Sequence, residues 1–375
     1  MPGVGKTSLG GHGVMKDEQQ EAGLACKTPL GVFRVFRVHG KAGSGKTLLL
    51  KSLFNSKEVR THFKSKKNGF LLWLTVSKSP CYKSLWNKLW TQIVIQDNVE
   101  TVKNINEQHV EIWIAVQNNV DLIKIDNEED VKKRANDALQ RSEGFVLILD
   151  DVWNGDANNV LKELGLLQIV NNEPNSKFKV IVSSRDPKTL SDMGIPEHKM
   201  QDLNEHDSWD LFARHAFPNK DRNPPEKEQG KFVCHMCRGL PLAIKVVGRA
   251  MADSTQAKQW RWALQRLSNT ESVYDCRLKF SFEALGNEGV KMQCCFLLAA
   301  AASLEDEILF ARHVILLWAG EGLLSGKMTQ EDSYDPFEMG WIYLNVLADR
   351  CLIEPMMRDH EGRVVCFRIH DELRN

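Results

Sequence analysis

Gly40-Lys41-Ala42-Gly43-Ser44-Gly45-Lys46-Thr47, between the apolar run VFRVFRVH (32–39) and LLLKSLF (48–54), is the stretch whose reading decides the fold. It satisfies G-x-x-x-x-G-K-[ST] at every fixed position. Glycines let successive backbone N–H groups turn inward on a phosphate without a Cβ in the way. Lys46 supplies a mobile positive charge for β- and γ-phosphates, and the Thr47 hydroxyl is a hard oxygen ligand suited to Mg²⁺. The helix expected to follow, TLLLKSLF with Leu48 in its first turn, adds the positive end of its dipole. The candidate nucleotide-binding residues here are Gly40, Gly43, Ser44, Gly45, Lys46, Thr47 and Leu48.

A second Gly-Lys-Thr lies in MPGVGKTSLG at the start of the chain. It has Gly3, Gly5, Lys6 and Thr7, but no strand precedes it and the opening glycine of the pattern is missing. Without an anchoring strand the turn has no fixed geometry, and this copy is expected to bind nothing.

Four apolar runs of strand length mark the first half: 32–39, GFLLWLTV (69–76), GFVLILD (144–150) and FKVIVSS (178–184). SLWNKLWTQIVIQ (84–96) and DVKKRANDALQRS (130–142) read as helices between them. Near-continuous apolar strands alternating with helices indicate a parallel sheet covered on both faces. Arg34 and Arg37 fall on opposite faces of the first strand, which a fully buried strand should not tolerate, so that strand is expected to begin near Val35.

The third strand ends Leu149-Asp150-Asp151-Val152-Trp153. A buried strand ending in carboxylates is where a P-loop ATPase holds its metal. Asp150 is the candidate for Mg²⁺, through water, with Thr47; Asp151 is the candidate that orients or deprotonates the attacking water. The fourth strand ends Ser183-Ser184-Arg185-Asp186. An arginine just past the carboxyl end of a parallel strand sits where open α/β sheets bind ligands, and its guanidinium can grip γ-phosphate oxygens.

Beyond about residue 202 the strand pattern stops. LNEHDSWDLFARHAF (203–217) opens on a cap-like Asn204, and helices continue through about residue 270 after the Pro-rich connector 218–229. The last hundred residues begin helical and close with CLIEPM (351–356) and VVCFRIHDE (364–372) around a Gly turn, which suggests a winged helix. The expected divisions are 1–28, a poorly structured segment with the degenerate loop remnant; 29–202, the P-loop domain; 203–270, helical; and 271–375, winged helix.

Composition removes several classes. The 49 basic and 49 acidic residues of the 375 cancel, and the final domain has no basic recognition helix, so nucleic acid is not an expected partner. No window reaches the roughly 18 apolar residues of a membrane span, and no secretory signal is visible. Nine scattered cysteines fit reduced thiols of a cytoplasmic protein, and Cys234-His235-Met236-Cys237 reads as two buried helix thiols because no second ligand pair accompanies it.

Taken in order, these segments resemble the NB-ARC module of plant nucleotide-binding leucine-rich-repeat disease-resistance proteins. GKAGSGKTLLL resembles its phosphate loop, LLWLTVS its second strand, LILDDVW its acidic strand and VIVSSRD its sensor-arginine strand. GLPLA (Gly239–Ala243) is similar to its most distinctive signature, and Ile369-His370-Asp371 stands at its Met-His-Asp motif. Trp153 and WAGEGLL resemble the coiled-coil class more than the Toll class. Three features depart from the family: Ile369 in place of Met, no Val-Gly-Arg segment in residues 14–29, and neither an N-terminal signalling domain nor leucine-rich repeats.

The resemblance implies an ADP/ATP switch with slow hydrolysis, acting in defence through intramolecular or protein signalling partners and forming an oligomer in the ATP state. It further implies that Pro241 packs against adenosine and that His370 reaches the ADP β-phosphate. The readings it competes with are a catalytic ATPase or kinase whose turnover is its purpose, an ATPase-coupled winged-helix transcription regulator, and a truncated receptor serving as regulator or decoy.

Overall fold

Strands that are apolar at nearly every position, as Phe70–Thr75 and Phe145–Val152 are, must bury both faces, and the chain does so. The computed structural model describes residues 35–64, 66, 69–78, 80–97, 128–153, 157–166, 178–188, 195–218, 227–252, 254, 256–268, 275–285, 290–303, 307–324 and 335–374. The N-terminal segment 1–28, with its second Gly-Lys-Thr, lies outside them. Of the described residues, Ala42–Ser44 and those from Gln201 onward form one compact unit, here the second, and the rest form the first.

In the first unit β1 (Val35–His39) leads through the phosphate loop to α1 (Lys46–Asn55), followed by α2 (Lys57–Lys64), β2 (Phe70–Thr75), α3 (Tyr82–Asp97), α4 (Glu128–Arg141), β3 (Phe145–Val152), α5 (Ala157–Glu163), β4 (Phe178–Ser184) and β5 (Glu197–Lys199). The strands make one sheet in the order β2-β3-β4-β1-β5, with neighbours parallel. Phe70, Leu72 and Leu74 of β2, Phe145, Leu147 and Leu149 of β3, and Val180 and Val182 of β4 fill one face with Trp86 and Leu89 of α3. Their neighbours Leu71, Trp73, Val146, Ile148 and Ile181 fill the other with Leu50 of α1 and Phe63 of α2. Each such buried side chain contributes about 1.5–3 kcal/mol relative to exposure.

One strand of this sheet was not expected from the sequence. The fifth strand, Glu197-His198-Lys199, pairs with β1 at the edge and has no apolar run by which the sequence could announce it. It also explains how Arg37, inside a strand that is described from Val35 onward, is held at 5% exposure. The guanidinium pairs with Glu197 and donates to the Pro187 carbonyl, so the buried charge is compensated by the strand beside it.

The second unit holds two helical cores. Asn204 caps α6 (Glu205–Ala216) by accepting from the Asp207 N–H. With α7 (Lys227–Met236), α8 (Pro241–Ala250), α9 (Ala257–Ser268) and α10 (Asp275–Glu283) it encloses Phe212, Ile244, Val247, Trp260 and Phe280. Cys234 and Cys237 are buried in this core, and burial pushes the Cys234 thiol up to about 11. The next elements are α11 (Val290–Ala302), β6 (Leu309–Phe310), α12 (Ala311–Gly320), α13 (Pro336–Asp349), β7 (Glu354–Arg358), β8 (Val364–Arg368) and α14 (Asp371–Arg374). They surround Phe296, Ile315, Trp318, Leu344 and Phe367, with a three-stranded antiparallel sheet in the order β6-β8-β7. The hairpin turn carries Gly362 at φ 80°; the two-residue β6 is too short to be legible in sequence. Arg350, just past α13, donates to the carbonyls of Arg249 and Ala250 at the end of α8, tying the two cores. Among the described residues no helix is long and apolar enough to cross a membrane.

Candidate functional site

The phosphate loop takes its shape from two glycines. Gly43 (φ 69°) and Gly45 (φ 95°) lie in the left-handed region, and Gly45 is the N-cap of α1. The loop begins where the Gly40 N–H donates to the Ser184 carbonyl at 3.2 Å. At its apex the Gly43 carbonyl accepts from the Leu242 N–H at 3.2 Å, and a Cβ on Gly43 would stand 2.7 Å from the Leu242 Cβ.

Lys46 is buried, and its ammonium donates to the carbonyls of Gly40 (2.7 Å) and Lys41 (3.0 Å). Ser44 is buried too, its hydroxyl oxygen without a hydrogen-bond partner among the described residues. An orphaned buried hydroxyl, a buried cation and helix N–H groups lacking intrahelical acceptors fit a phosphate. Leu48, on the first turn of α1, is exposed. His39 precedes the loop; burial, then Arg37, Lys199, His198 and Lys46, hold its imidazole below the usual range, so it adds no charge beneath the loop at neutral pH.

The acid pair stands on a bulge. Leu149 pairs with Val182 and Val152 with Ser184, so Asp150 and Asp151 together face Ser183. In an unbroken strand they would point to opposite faces; here Asp151 takes a left-handed φ of 56°. Asp150, 2% exposed, accepts from the Thr47 hydroxyl at 3.3 Å and from the Ser183 hydroxyl at 2.6 Å. Hydroxyl and carboxylate oxygens form a hard donor set that fits Mg²⁺. Asp151 accepts from Arg185 through both oxygens, Nε to Oδ1 at 3.1 Å and Nη2 to Oδ2 at 2.9 Å. The Arg185 guanidinium lies 4.6 Å from the centre of the Trp153 ring, with the Lys78 ammonium 5.6 Å from the same ring.

The structure therefore brings Thr47, Asp150, Asp151 and Arg185 together around the ends of β3 and β4. Pro241 and His370 lie in the second unit. Gly239 (φ 70°) makes the turn before α8, where a Cβ would stand 2.4 Å from the Leu203 carbonyl oxygen, and Pro241 occupies the first turn of α8, where its missing N–H costs nothing. His370 follows β8, and its Nδ1 accepts from the Glu372 N–H at 3.2 Å, which leaves the proton of the neutral ring on Nε2. Sequence reasoning gave no role to Ser183 or Leu242. The signal for Ser183 was a hydroxyl closing an otherwise apolar strand; for Leu242 there was none, since its contact with Gly43 joins residues far apart in the chain.

The sequence pattern of the NB-ARC domain family matches residues 24–222. Among curated proteins, disease resistance protein At4g27190 of Arabidopsis thaliana is 30% identical over 356 residues, covering 91% of this chain and 34% of that protein. Probable disease resistance protein At1g61300, of the same plant, is 28% identical over 301 residues (77% and 34%), and disease resistance protein RPP13 is 26% identical over 353 residues (91% and 37%). The chain spans about a third of the length of these relatives. Among solved structures, a signal transduction ATPase with numerous domains (STAND) bearing a tetratricopeptide repeat sensor, from Pyrococcus horikoshii, superposes with a TM-score of 0.51 at 16% identity, covering 95% of this chain and 41% of that one. With the parallel sheet and the loop, this makes the first unit an α/β P-loop NTPase fold.

Proposed function

Because this chain belongs to the NB-ARC family, we propose that it is the nucleotide-binding module of a plant immune receptor-like protein, working as an ADP/ATP switch. The observation that carries this reading is the joined set Thr47–Asp150 and Asp151–Arg185 beside a buried Lys46. Lys46, Ser44 and the backbone of Gly43 and Gly45 hold the β- and γ-phosphates, and Thr47 and Asp150 hold Mg²⁺. When bound, the metal neutralises phosphate charge at the reacting centre.

Asp151 orients the attacking water and accepts its proton at a carboxylate oxygen. Both of those oxygens are engaged by Arg185, so the carboxylate acts as a base only once the guanidinium turns away. A γ-phosphate is the competing anion that draws Arg185, which links recognition of ATP to release of the base and keeps hydrolysis slow.

In the second unit we assign 203–270 to a helical domain, to whose core α10 (Asp275–Glu283) adds Phe280, and the rest of 271–375 to a winged helix. Pro241 packs against adenosine and His370 reaches the ADP β-phosphate, holding a closed form that ATP opens toward protein signalling partners and oligomerisation. Driving such an equilibrium from 1:99 to 99:1 needs a differential affinity of about 10⁴, or about 5.5 kcal/mol. Charge-assisted bonds of about 1.5–3 kcal/mol each, from Arg185 and the metal, supply most of it. Mass spectrometry of nucleotide retained by the purified chain tests the reading: co-purified ADP supports it, and no adenine nucleotide retained or bound on addition contradicts it.

A further inference from the structure

We infer that Ser183 is the positioning residue of the acid pair, a single hydroxyl that aims the metal-holding carboxylate and anchors the backbone that carries the water-activating one. The inference rests on the nucleotide reading above and assigns that site's metal dependence to a residue outside the phosphate loop.

Ser183 is wholly buried at the end of a strand that otherwise reads Val180-Ile181-Val182. A hydroxyl there is tolerated only if its bonds are made. Both of them go to the acid pair: the O–H donates to Asp150 Oδ1 at 2.6 Å, and the oxygen accepts the Asp151 N–H at 2.8 Å. The second bond replaces what the bulge removes, because two residues of β3 stand opposite one of β4 and the extra N–H drops out of the ladder. It thereby anchors the left-handed backbone of Asp151, while the first bond fixes the rotation of the Asp150 carboxylate. The next hydroxyl, on Ser184, does other work: it donates to the Val152 carbonyl and accepts the Asp186 N–H.

Loss of the Ser183 hydroxyl takes from the Asp150 carboxylate its 2.6 Å hydrogen bond and from the Asp151 backbone its anchor on β4, so both acids lose their aim. Metal affinity and hydrolysis then fall together, while ADP binding without metal, which relies on Lys46 and the loop backbone, stays as it was.

The test compares the full chain as wild type, Ser183→Ala, Ser183→Cys and Ser183→Thr. Calorimetry with ADP in chelator, the Mg²⁺ concentration for half-maximal ATP binding, and single-turnover hydrolysis are measured for each. The alanine and cysteine variants are expected to keep metal-free ADP affinity, to need about 10–100-fold more Mg²⁺ and to hydrolyse ATP slower by a similar factor. Threonine, which retains the hydroxyl, is expected to restore both. The near-isosteric cysteine serves if alanine does not fold. Unchanged Mg²⁺ dependence in Ser183→Ala or Ser183→Cys overturns the inference while leaving the nucleotide reading intact. A wild-type chain that binds no ADP overturns that reading instead, and this inference with it.

Discussion

Arg185 and Asp151 are joined by a two-pronged bond, Nε to Oδ1 at 3.1 Å and Nη2 to Oδ2 at 2.9 Å, with side chains only 20% and 13% exposed. Parallel bonds of this kind are directional as well as strong. They mean that the candidate base and the candidate γ-phosphate sensor restrain each other.

Asp151→Asn keeps the size of the side chain but removes its basicity. Single-turnover ATP hydrolysis is expected to fall by about 10²–10⁴-fold while ADP affinity holds. A rate equal to wild type would remove Asp151 from the chemistry.

Gly43→Ala is expected to destabilise the chain twice over. A non-glycine residue at φ 69° costs about 1–2 kcal/mol, and the new methyl meets Leu242 at 2.7 Å. Leu242→Gly removes the Cβ that the new methyl meets and so relieves the second part alone, and a double-mutant cycle in urea should show coupling of at least about 0.5 kcal/mol. Strict additivity would show that the apex of the loop does not rest on α8.

These relationships mark how far the sequence was legible. The loop, the four apolar strands and the acid pair could be read because local pattern alone specifies them: continuous apolar runs require two covered faces, and G-x-x-x-x-G-K-[ST] requires a strand before and a helix after. The hairpin of β7 and β8 was visible through its Gly turn. What escaped depends on pairing across distance. β5 is three polar residues made a strand by β1, and Arg37 is tolerable only because Glu197 arrives beside it. The bulge at Asp150–Asp151 arises from register against Ser183, which no single-strand pattern encodes.

His215, in the last turn of α6, gives the chain an acid sensitivity separate from the nucleotide site. Burial first, then Lys245, Arg249 and Arg214, push its imidazole from 6.5 down to about 4. The folded form thus favours the neutral ring more than the unfolded chain does. The resulting stability is complete above pH 6.5 and is lost as pH falls from 6.5 toward 4. At a half-buried, partly screened site the loss is about 1–2 kcal/mol. Urea unfolding of wild type and His215→Gln between pH 7 and about 4.5 checks this, with the variant expected to show the shallower slope. Parallel slopes would assign the acid sensitivity to other groups.

The central claim is that one buried ammonium and the glycine loop around it grip the diphosphate, and calorimetric titration of Lys46→Ala with ADP tests it most directly. The account expects binding to fall by at least about 100-fold, corresponding to about 2.7 kcal/mol, in a chain whose thermal unfolding remains cooperative. Wild-type affinity for ADP in that folded variant would contradict it.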